Sequence, residues 1–282
     1  MESSPRSFFA RNDFLIRRLH SLSGLIPVGA YMVVHLMVNA SVASGDATFQ
    51  NQVFNIHNLP LLWVIEWTFI FIPILFHAAI GFWIIAEGLP NPHQYPYGAN
   101  YRYTLQRATG MIAFVFIMLH VFHMHGWFHN DSWVNYVVKP FGGGQFKPYN
   151  ATSTAGMALQ STVWVAIYII GVLACIFHLA NGIWTMGITW GVWTSPAAQR
   201  RALGVCTVFG VLLAAVGLSA LFGLRAAVNT EDKLDQVREH EAVMIEHDIE
   251  AGLLDEEAIE HKRSTPESGG DDVQASARQQ RE

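Results

Sequence analysis

Charged residues are scarce in this sequence. Asp, Glu, Lys and Arg make up only 14% of its 282 residues, whereas an ordinary globular domain carries about 25%. Hydrophobic residues account for 51% of the chain and aromatic residues for 12%. This balance excludes an ordinary water-soluble domain and favours a membrane protein. We expect lipid to surround the chain and predict no nucleic-acid partner.

Cysteine is also rare. The two cysteines, Cys175 and Cys206, both lie within apolar segments, and neither a CxxC motif nor a zinc-type spacing occurs. A disulfide framework is therefore not expected. The N-terminal region lacks the short apolar core and small-residue cleavage site of a signal peptide, so we expect the first apolar segment to remain in the mature protein.

Long apolar segments, in contrast, recur along the chain. Each is near or above the ~20 residues that a helix needs to cross the hydrocarbon of a bilayer. They predict an all-α membrane protein, a bundle of five transmembrane helices, with spans at 18–42, 60–86, 107–128, 160–187 and 202–225.

The charges divide the chain into two regions. Residues 1–225 hold 11 Lys and Arg against 6 Asp and Glu, and residues 226–282 hold 6 against 16. We therefore predict a membrane domain over 1–225 and an acidic C-terminal tail over 226–282. Basic residues favour cytoplasmic loops, and the alternate loops divide them eight to three, which predicts a cytoplasmic N-terminus. The more basic side holds Arg6, Arg11, Arg17, Arg18, Arg102, Arg107, Arg200 and Arg201, and the other holds Lys139, Lys147 and Arg225.

The start of the tail has roughly helical spacing of apolar residues. Its end, "STPESGGDDVQASARQQRE", has the composition of a disordered segment. The sequence leaves open whether the tail is a solvated appendage or a docking segment for a partner.

Four histidines interrupt the apolar segments, and ionisable residues at membrane depth are functional candidates by default. His35 lies 17 residues beyond Arg18, and His120 lies 13 residues beyond Arg107. At a rise of ~1.5 Å per residue, both lie roughly 20–25 Å from the cytoplasmic side. His35 and His120 therefore form a predicted outer pair.

The other two histidines are on helices that run in the opposite direction. His77 lies 17 residues beyond Pro60, and His178 lies 17 residues beyond Ser161. Both are therefore roughly 25 Å from the outer side, close to the cytoplasm. His77 and His178 form what we call the inner histidine pair.

Two imidazoles at one level, on separate helices and among apolar and small residues, suit the axial positions of a flat iron porphyrin. Zinc would need three or four protein ligands, and neither pair has carboxylates or thiolates arranged to complete such a site. Bis-histidine ligation fills both axial positions and so favours electron transfer. We predict two haems, each held by two histidines. His123, one turn beyond His120, is the one competing ligand and is expected at the outer interface, solvated or hydrogen-bonded.

The segments around these histidines also resemble a known family, the five-helix, di-haem cytochrome b anchors of succinate dehydrogenase and fumarate reductase. The resemblance runs from about Phe14 to Leu221 and is carried by "RRLHSLSGLIPVGAYMVVHL", "FIPILFHAAIG", "LQRATG" and "FHLANGIW". It implies that His35, His120, His77 and His178 are the axial haem ligands. It also implies a flavoprotein and an iron–sulfur subunit docked on the cytoplasmic face, a quinone substrate that is menaquinone or a relative, and the cell membrane of a prokaryote.

Other polar residues are assigned from position. Arg17, His20, Ser21 and Arg107 stand at the cytoplasmic mouths of helices I and III, where haem propionates would need cationic or hydroxyl partners. Simple interfacial placement explains each single arginine equally well. Glu66, about 9 Å into the outer half, is a candidate proton relay for quinone. A carboxylate that reaches up to the interface near the N-terminal end of its helix explains its position equally well.

The function predicted from sequence is electron transfer between succinate and quinone as the anchor of a larger enzyme, in a direction that the sequence leaves open. A homo-oligomer of that complex is also left open. Two alternatives remain. One is the di-haem anchor of a hydrogenase or formate dehydrogenase, and the other is a transporter that uses histidines as stepping ligands.

Overall fold

A computed structural model describes residues 8–88, 93–128 and 130–263. Arg6, His129 and the segment 264–282, for which disorder is expected, lie outside these ranges. The described residues form twelve α-helices, joined by short 3-10 and π-helical turns, and contain no strand. These helices are α1 Phe8–Leu25, α2 Val28–Ala40, α3 Asp46–His57, α4 Leu62–Glu66, α5 Ile72–Glu87, α6 Gly98–His125, α7 Asp131–Trp133, α8 Ala151–Ala158, α9 Thr162–Thr189, α10 Pro196–Ala227, α11 Glu231–Glu250 and α12 Glu256–Ile259.

Five helical segments of the described chain are long and apolar enough to span a membrane. The prediction of an all-α protein with five membrane helices is therefore confirmed. The segments are Arg11–Ser44, Leu62–Glu87, Gly98–His125, Thr162–Thr189 and Pro196–Ala227.

Two of these spans are interrupted at a proline. The first was predicted as one continuous run, but α1 ends at Leu25 and α2 begins at Val28. Pro27 lies between them and has no N–H to continue the helical ladder. In the second span, Pro73 follows a π-helical turn at Trp67–Phe71. Because Pro73 cannot donate to the carbonyl four residues earlier, the chain widens locally at this point.

The fifth span begins at Pro196, before the predicted start at residue 202. α10 starts at Pro196, which lacks the N–H that would have no helical partner at this position. The Ser195 hydroxyl accepts a hydrogen bond from the Ala198 amide at 3.2 Å. The side chain of Ser195 thus satisfies one of the free donors of the first turn.

The chain divides into two compact units. The first comprises Met1–Met37, Pro60–Leu119 and Ala166–Leu218. It contains a core in which α2, α9 and α10 meet. The buried members of that core are Leu36, Ile176, Leu179 and Leu213. This unit holds three of the four predicted haem ligands.

The second unit comprises Val38–Leu59, His120–Val165 and Ser219–Glu282. Within it, α11 packs against α3 and α8. The helix begins where the Thr230 hydroxyl accepts a hydrogen bond from the Lys233 amide, and Val237 and Glu241 are buried. One face of the acidic tail is therefore packed against the same chain and is not solvated.

Glu241 is the most unusual residue of this helix, since its side chain is only 1% exposed. One carboxylate oxygen accepts from the amides of Thr152 and Ser153, each at 2.9 Å. The other accepts from the Ser153 hydroxyl at 2.5 Å and the Asn150 amide group at 3.3 Å. We call these four residues the Glu241 cluster. The carboxylate closes the N-terminus of α8, where free amides and the helix dipole favour an anion.

Candidate haem site at the inner histidine pair

The structure brings the two inner histidines together. His77 lies on α5 and His178 on α9. Their ring centres are 6.0 Å apart and their ring planes are at 86°. Two helices that are distant in sequence thus present imidazoles to the same space.

A backbone carbonyl fixes the orientation of His77. Its Nδ1 lies 2.9 Å from the carbonyl oxygen of His20 on α1, with the Ser23 hydroxyl at 3.4 Å. A carbonyl oxygen can only accept a hydrogen bond, so Nδ1 carries the proton and Nε2 keeps its lone pair. This neutral tautomer has the nitrogen that a metal binds.

His178 is held in the same way from α6. Its Nδ1 lies 3.0 Å from the carbonyl oxygen of Gln106. The Gln106 side chain donates to the carbonyl of His178 at 3.1 Å and accepts from the Asn181 side chain at 2.8 Å. The Gln106 amide nitrogen also lies 3.2 Å from Nδ1. Because the contact with the Gln106 carbonyl is shorter and a carbonyl can only accept, we assign the proton to Nδ1, which leaves the Nε2 lone pair for a metal.

The donor set suits a haem iron. A metal–imidazole bond is about 2 Å long, so rings bound to opposite faces of one ion have centres about 6 Å apart. The 6.0 Å between the centres of His77 and His178 matches this separation. Within the part of the chain that the structure describes, no three His, Cys, Asp or Glu side chains gather as a metal site. The inner histidine pair could supply the two protein ligands that an iron porphyrin needs, whereas zinc would take three or four.

Buried nitrogens without a partner lie on α1 and α6, the helices whose carbonyls contact the inner histidines. Nε and Nη1 of Arg107 and Nδ1 of His20 are buried without a partner among the described residues. The His20 ring stacks on His77, with centres 4.0 Å apart. The Arg107 guanidinium lies over the Tyr103 ring, 3.7 Å from its centre. Buried donors of this kind suit carboxylate groups such as haem propionates.

Arg17 and Ser21, the other two predicted propionate residues, are engaged within the chain. Arg17 pairs with Asp13 at 2.8 Å and with Glu87. The Ser21 hydroxyl accepts from the Trp190 indole at 3.0 Å and donates to a carbonyl of its own helix. Arg107 and His20 are therefore the stronger candidates to bind a propionate.

The residues predicted for the outer half of the membrane belong to different units. In the first unit, His35 stacks on Tyr31 with ring centres 5.5 Å apart. Glu66 ends α4 directly before the π-helical turn. In the second unit, His120 lies on α6. His123 is only 2% exposed and stacks on Trp164 at 3.7 Å, which rules out solvation, the first of the two environments expected for it.

Sequence reasoning missed four residues of the inner site, namely Gly24, Gly110, Gln106 and Asn181. A signal for the first three of them exists in the sequence. Gly24 follows His20 by four residues with Ser23 between, and Gly110 follows Gln106 by four residues with Thr109 between. The repeated spacing marks the two turns whose carbonyls hold the inner histidines.

Comparison with known proteins identifies the family. No family model matches the chain. The chain is 35% identical over 210 residues to the succinate dehydrogenase cytochrome b558 subunit of Bacillus subtilis (strain 168), a match that covers 74% of this chain and 96% of that protein. With five membrane-spanning helices, the chain belongs to the family of succinate dehydrogenase cytochrome b subunits, the membrane anchors of that enzyme complex.

Proposed function

We propose that this chain carries electrons between the iron–sulfur subunit of a succinate:quinone oxidoreductase and quinone in the membrane, with two b haems held by its four intramembrane histidines. The observation that carries the proposal is the inner histidine pair, in which two imidazoles 6.0 Å apart each have Nδ1 held by a carbonyl. When bound, the haems supply one-electron carriers at successive depths.

The chain's part at the inner site is to hold and orient. His77 and His178 present Nε2, while the carbonyls of His20 and Gln106 keep each ring in the neutral tautomer. Partners of this kind orient the ring and raise its basicity as a ligand. Arg107, with two buried nitrogens free among the described residues, would hold a haem propionate.

The assignment of His35 and His120 as the outer haem ligands is based on the sequence. Both histidines lie at similar distances from the cytoplasmic ends of their helices, which at ~1.5 Å per residue places both in the outer half of the membrane. The family membership supports this assignment, since the relative is itself a cytochrome b.

The partners and the membrane follow from the family. A flavoprotein and an iron–sulfur subunit dock on the cytoplasmic face, in the cell membrane of a prokaryote, with the N-terminus of this chain on the same side. Because the relative is a succinate dehydrogenase subunit, this reading is favoured over an anchor for hydrogenase or formate dehydrogenase.

Quinone, menaquinone in this proposal, reacts near the outer haem. Glu66 lies directly before the π-helical turn of its helix, and π-bulges are frequent at functional sites. Its carboxylate transfers protons to or from quinone at this position. Succinate oxidation and fumarate reduction use the same residues in opposite directions.

The test is succinate-dependent quinone reduction in membranes that contain the assembled complex. His178→Ala removes an inner ligand and is expected to abolish quinone reduction, while the flavoprotein still oxidises succinate with an artificial dye. His57→Ala is the matched control, because His57 lies on α3 outside the five spans. Wild-type quinone reduction in His178→Ala would contradict the proposal.

A further inference from the structure

The two inner histidines are held by the same local arrangement of backbone and side chains on two different helices. In an α-helix, the carbonyl of residue i accepts from the amide of residue i+4. The Cβ of residue i+4 leans back toward the N-terminus and so toward that carbonyl. For His20 and Gln106, whose carbonyls hold the inner histidines, the residues at i+4 are Gly24 and Gly110. The side of each carbonyl that a Cβ at this position would cover is therefore open to an imidazole.

The space at these glycines is filled by the imidazoles themselves. A Cβ at Gly24 would lie 2.4 Å from Cε1 and 2.8 Å from Nδ1 of His77. A Cβ at Gly110 would lie 2.8 Å from Cε1 and 3.1 Å from Nδ1 of His178. Any larger residue would therefore displace the ring from its carbonyl. The contact is closer at Gly24 than at Gly110.

The hydroxyl residues that precede these glycines bond to the same carbonyls. Ser23 donates to the His20 carbonyl at 2.9 Å. Thr109 donates to the Leu105 carbonyl at 2.7 Å and also contacts the Gln106 carbonyl at 3.3 Å. Both turns thus share a hydroxyl at i+3, a glycine at i+4 and an imidazole on the carbonyl of residue i. The packing of the two helices alone does not require this repetition.

We infer that Gly24 and Gly110 are positioning residues for the inner haem ligands: by lacking a Cβ, each opens a helix carbonyl that holds the Nδ1–H of His77 or His178 and aims Nε2 at the iron. The inference rests on the proposed function, because it assigns a role toward a haem. Partners of this kind typically change the affinity of a metal site about 10- to 100-fold.

The experiment uses the assembled complex with Gly24→Ala, Gly110→Ala and a control, Gly204→Ala. Gly204 also lies in a membrane helix, α10, and an added Cβ there meets nothing within 4 Å. The readouts are haem content by pyridine haemochrome, the low-spin electron paramagnetic resonance signals, and the midpoint potential of each haem. None of these depends on activity.

We expect Gly24→Ala to lose the inner haem or convert it to a high-spin form, and Gly110→Ala to do so to a smaller extent. The outer haem in the same sample reports correct folding, and Gly204→Ala keeps both haems. If both test variants keep two haems with wild-type spectra and potentials, the inference is overturned while the proposed function stands.

Two further outcomes are informative. Loss of both haems from both test variants would indicate a global defect and would also reject a local positioning role. A wild-type complex that contains no haem would overturn the proposed function itself. If the Gly24→Ala complex does not assemble, Gly110→Ala tests the inference, because a Cβ there lies farther from the imidazole (2.8 Å against 2.4 Å).

Discussion

The inner histidine pair and the Glu241 cluster are both polar groups packed inside the protein, but they use their hydrogen-bonding capacity differently. Glu241 accepts from four donors, which fills the roughly four lone-pair sites of a carboxylate. His77 and His178 make their described hydrogen bonds through Nδ1, and Arg107 keeps two buried nitrogens unpartnered among the described residues. The cluster is complete within the chain, whereas the inner site has capacity left for a ligand.

This difference separates a structural role from a functional one. A buried polar group with every site filled stabilises one arrangement of the chain. A buried group that keeps a lone pair or a donor free is costly unless something else binds it. The predictions below test this distinction, from the largest expected effect to the smallest.

His77→Ala should remove the inner haem completely, because alanine offers no nitrogen to the iron. The haem content of the purified complex is expected to fall from two b haems per chain to one. Phe76→Ala is the control, since Phe76 is the adjacent residue and is exposed on the helix surface. Retention of both haems with unchanged potentials in His77→Ala would show that another residue is the ligand.

Glu241→Ala should detach α11 without changing either haem. The substitution leaves the amides of Thr152 and Ser153 without their acceptor. Hydrogen bonds to charged groups contribute about 1.5–3 kcal/mol each, so exchange of these two amides should accelerate about 10- to 100-fold. Hydrogen-exchange mass spectrometry measures this change. Glu239→Ala is the control, because Glu239 lies on the same helix and is exposed, and it should leave the exchange of these amides unaltered. Equal exchange rates in the two variants would refute the role of the cluster.

Arg107→Gln should lower the midpoint potential of the inner haem, because a nearby positive charge favours the reduced form. Arg17→Gln should have a smaller effect, since the charge of Arg17 is already compensated by Asp13 and Glu87. Redox titration of the haem absorbance measures both. If Arg17→Gln shifts the potential more than Arg107→Gln, then Arg17 is the propionate partner.

The attachment of α11 should weaken slightly as pH rises. The hydrogen bond to Asp46, reinforced by the charges of Asp46 and Glu239, raises the pKa of His240 above 6.5. That contact is therefore fully present below the ordinary pKa of histidine and is lost as pH rises through the raised value. Burial also raises the pKa of Glu241, against the effect of its hydrogen bonds. The stability that Glu241 contributes therefore also falls as pH rises, but in a lower pH range than for His240.

Limited proteolysis of the tail between about pH 6 and pH 8, the range around the ordinary pKa of histidine, measures this dependence. His240→Ala should flatten the profile over this range. His247→Ala is the control, because His247 contacts only its neighbour Asp248 among the contacts described. A profile that is unchanged in His240→Ala would exclude the contact with Asp46 as its origin.

Much of the membrane region could be predicted from the sequence, because span length and histidine spacing are local properties of a helix. The five spans and the level of His77 with His178 depend only on the rise per residue. The break at Pro27 could also have been expected, since proline has no amide hydrogen. The continuous apolar segment on both sides of Pro27 instead led to the prediction of one uninterrupted helix.

The Glu241 cluster could not be predicted in this way. Glu241 and Ser153 are 88 residues apart in the sequence, and no local pattern indicates which carboxylate meets which helix N-terminus. The same applies to Asn181 and Gln106, which are 75 residues apart. Tertiary contacts decide both, and hydrophobic periodicity does not encode them.

The most direct test of the account is the count and ligation state of the haems in the purified wild-type complex. Pyridine haemochrome and electron paramagnetic resonance are expected to give two b haems per copy of this chain, both low-spin with two histidine ligands. A colourless complex, or an inner haem that is high-spin with one histidine, would contradict the assignment of His77 and His178.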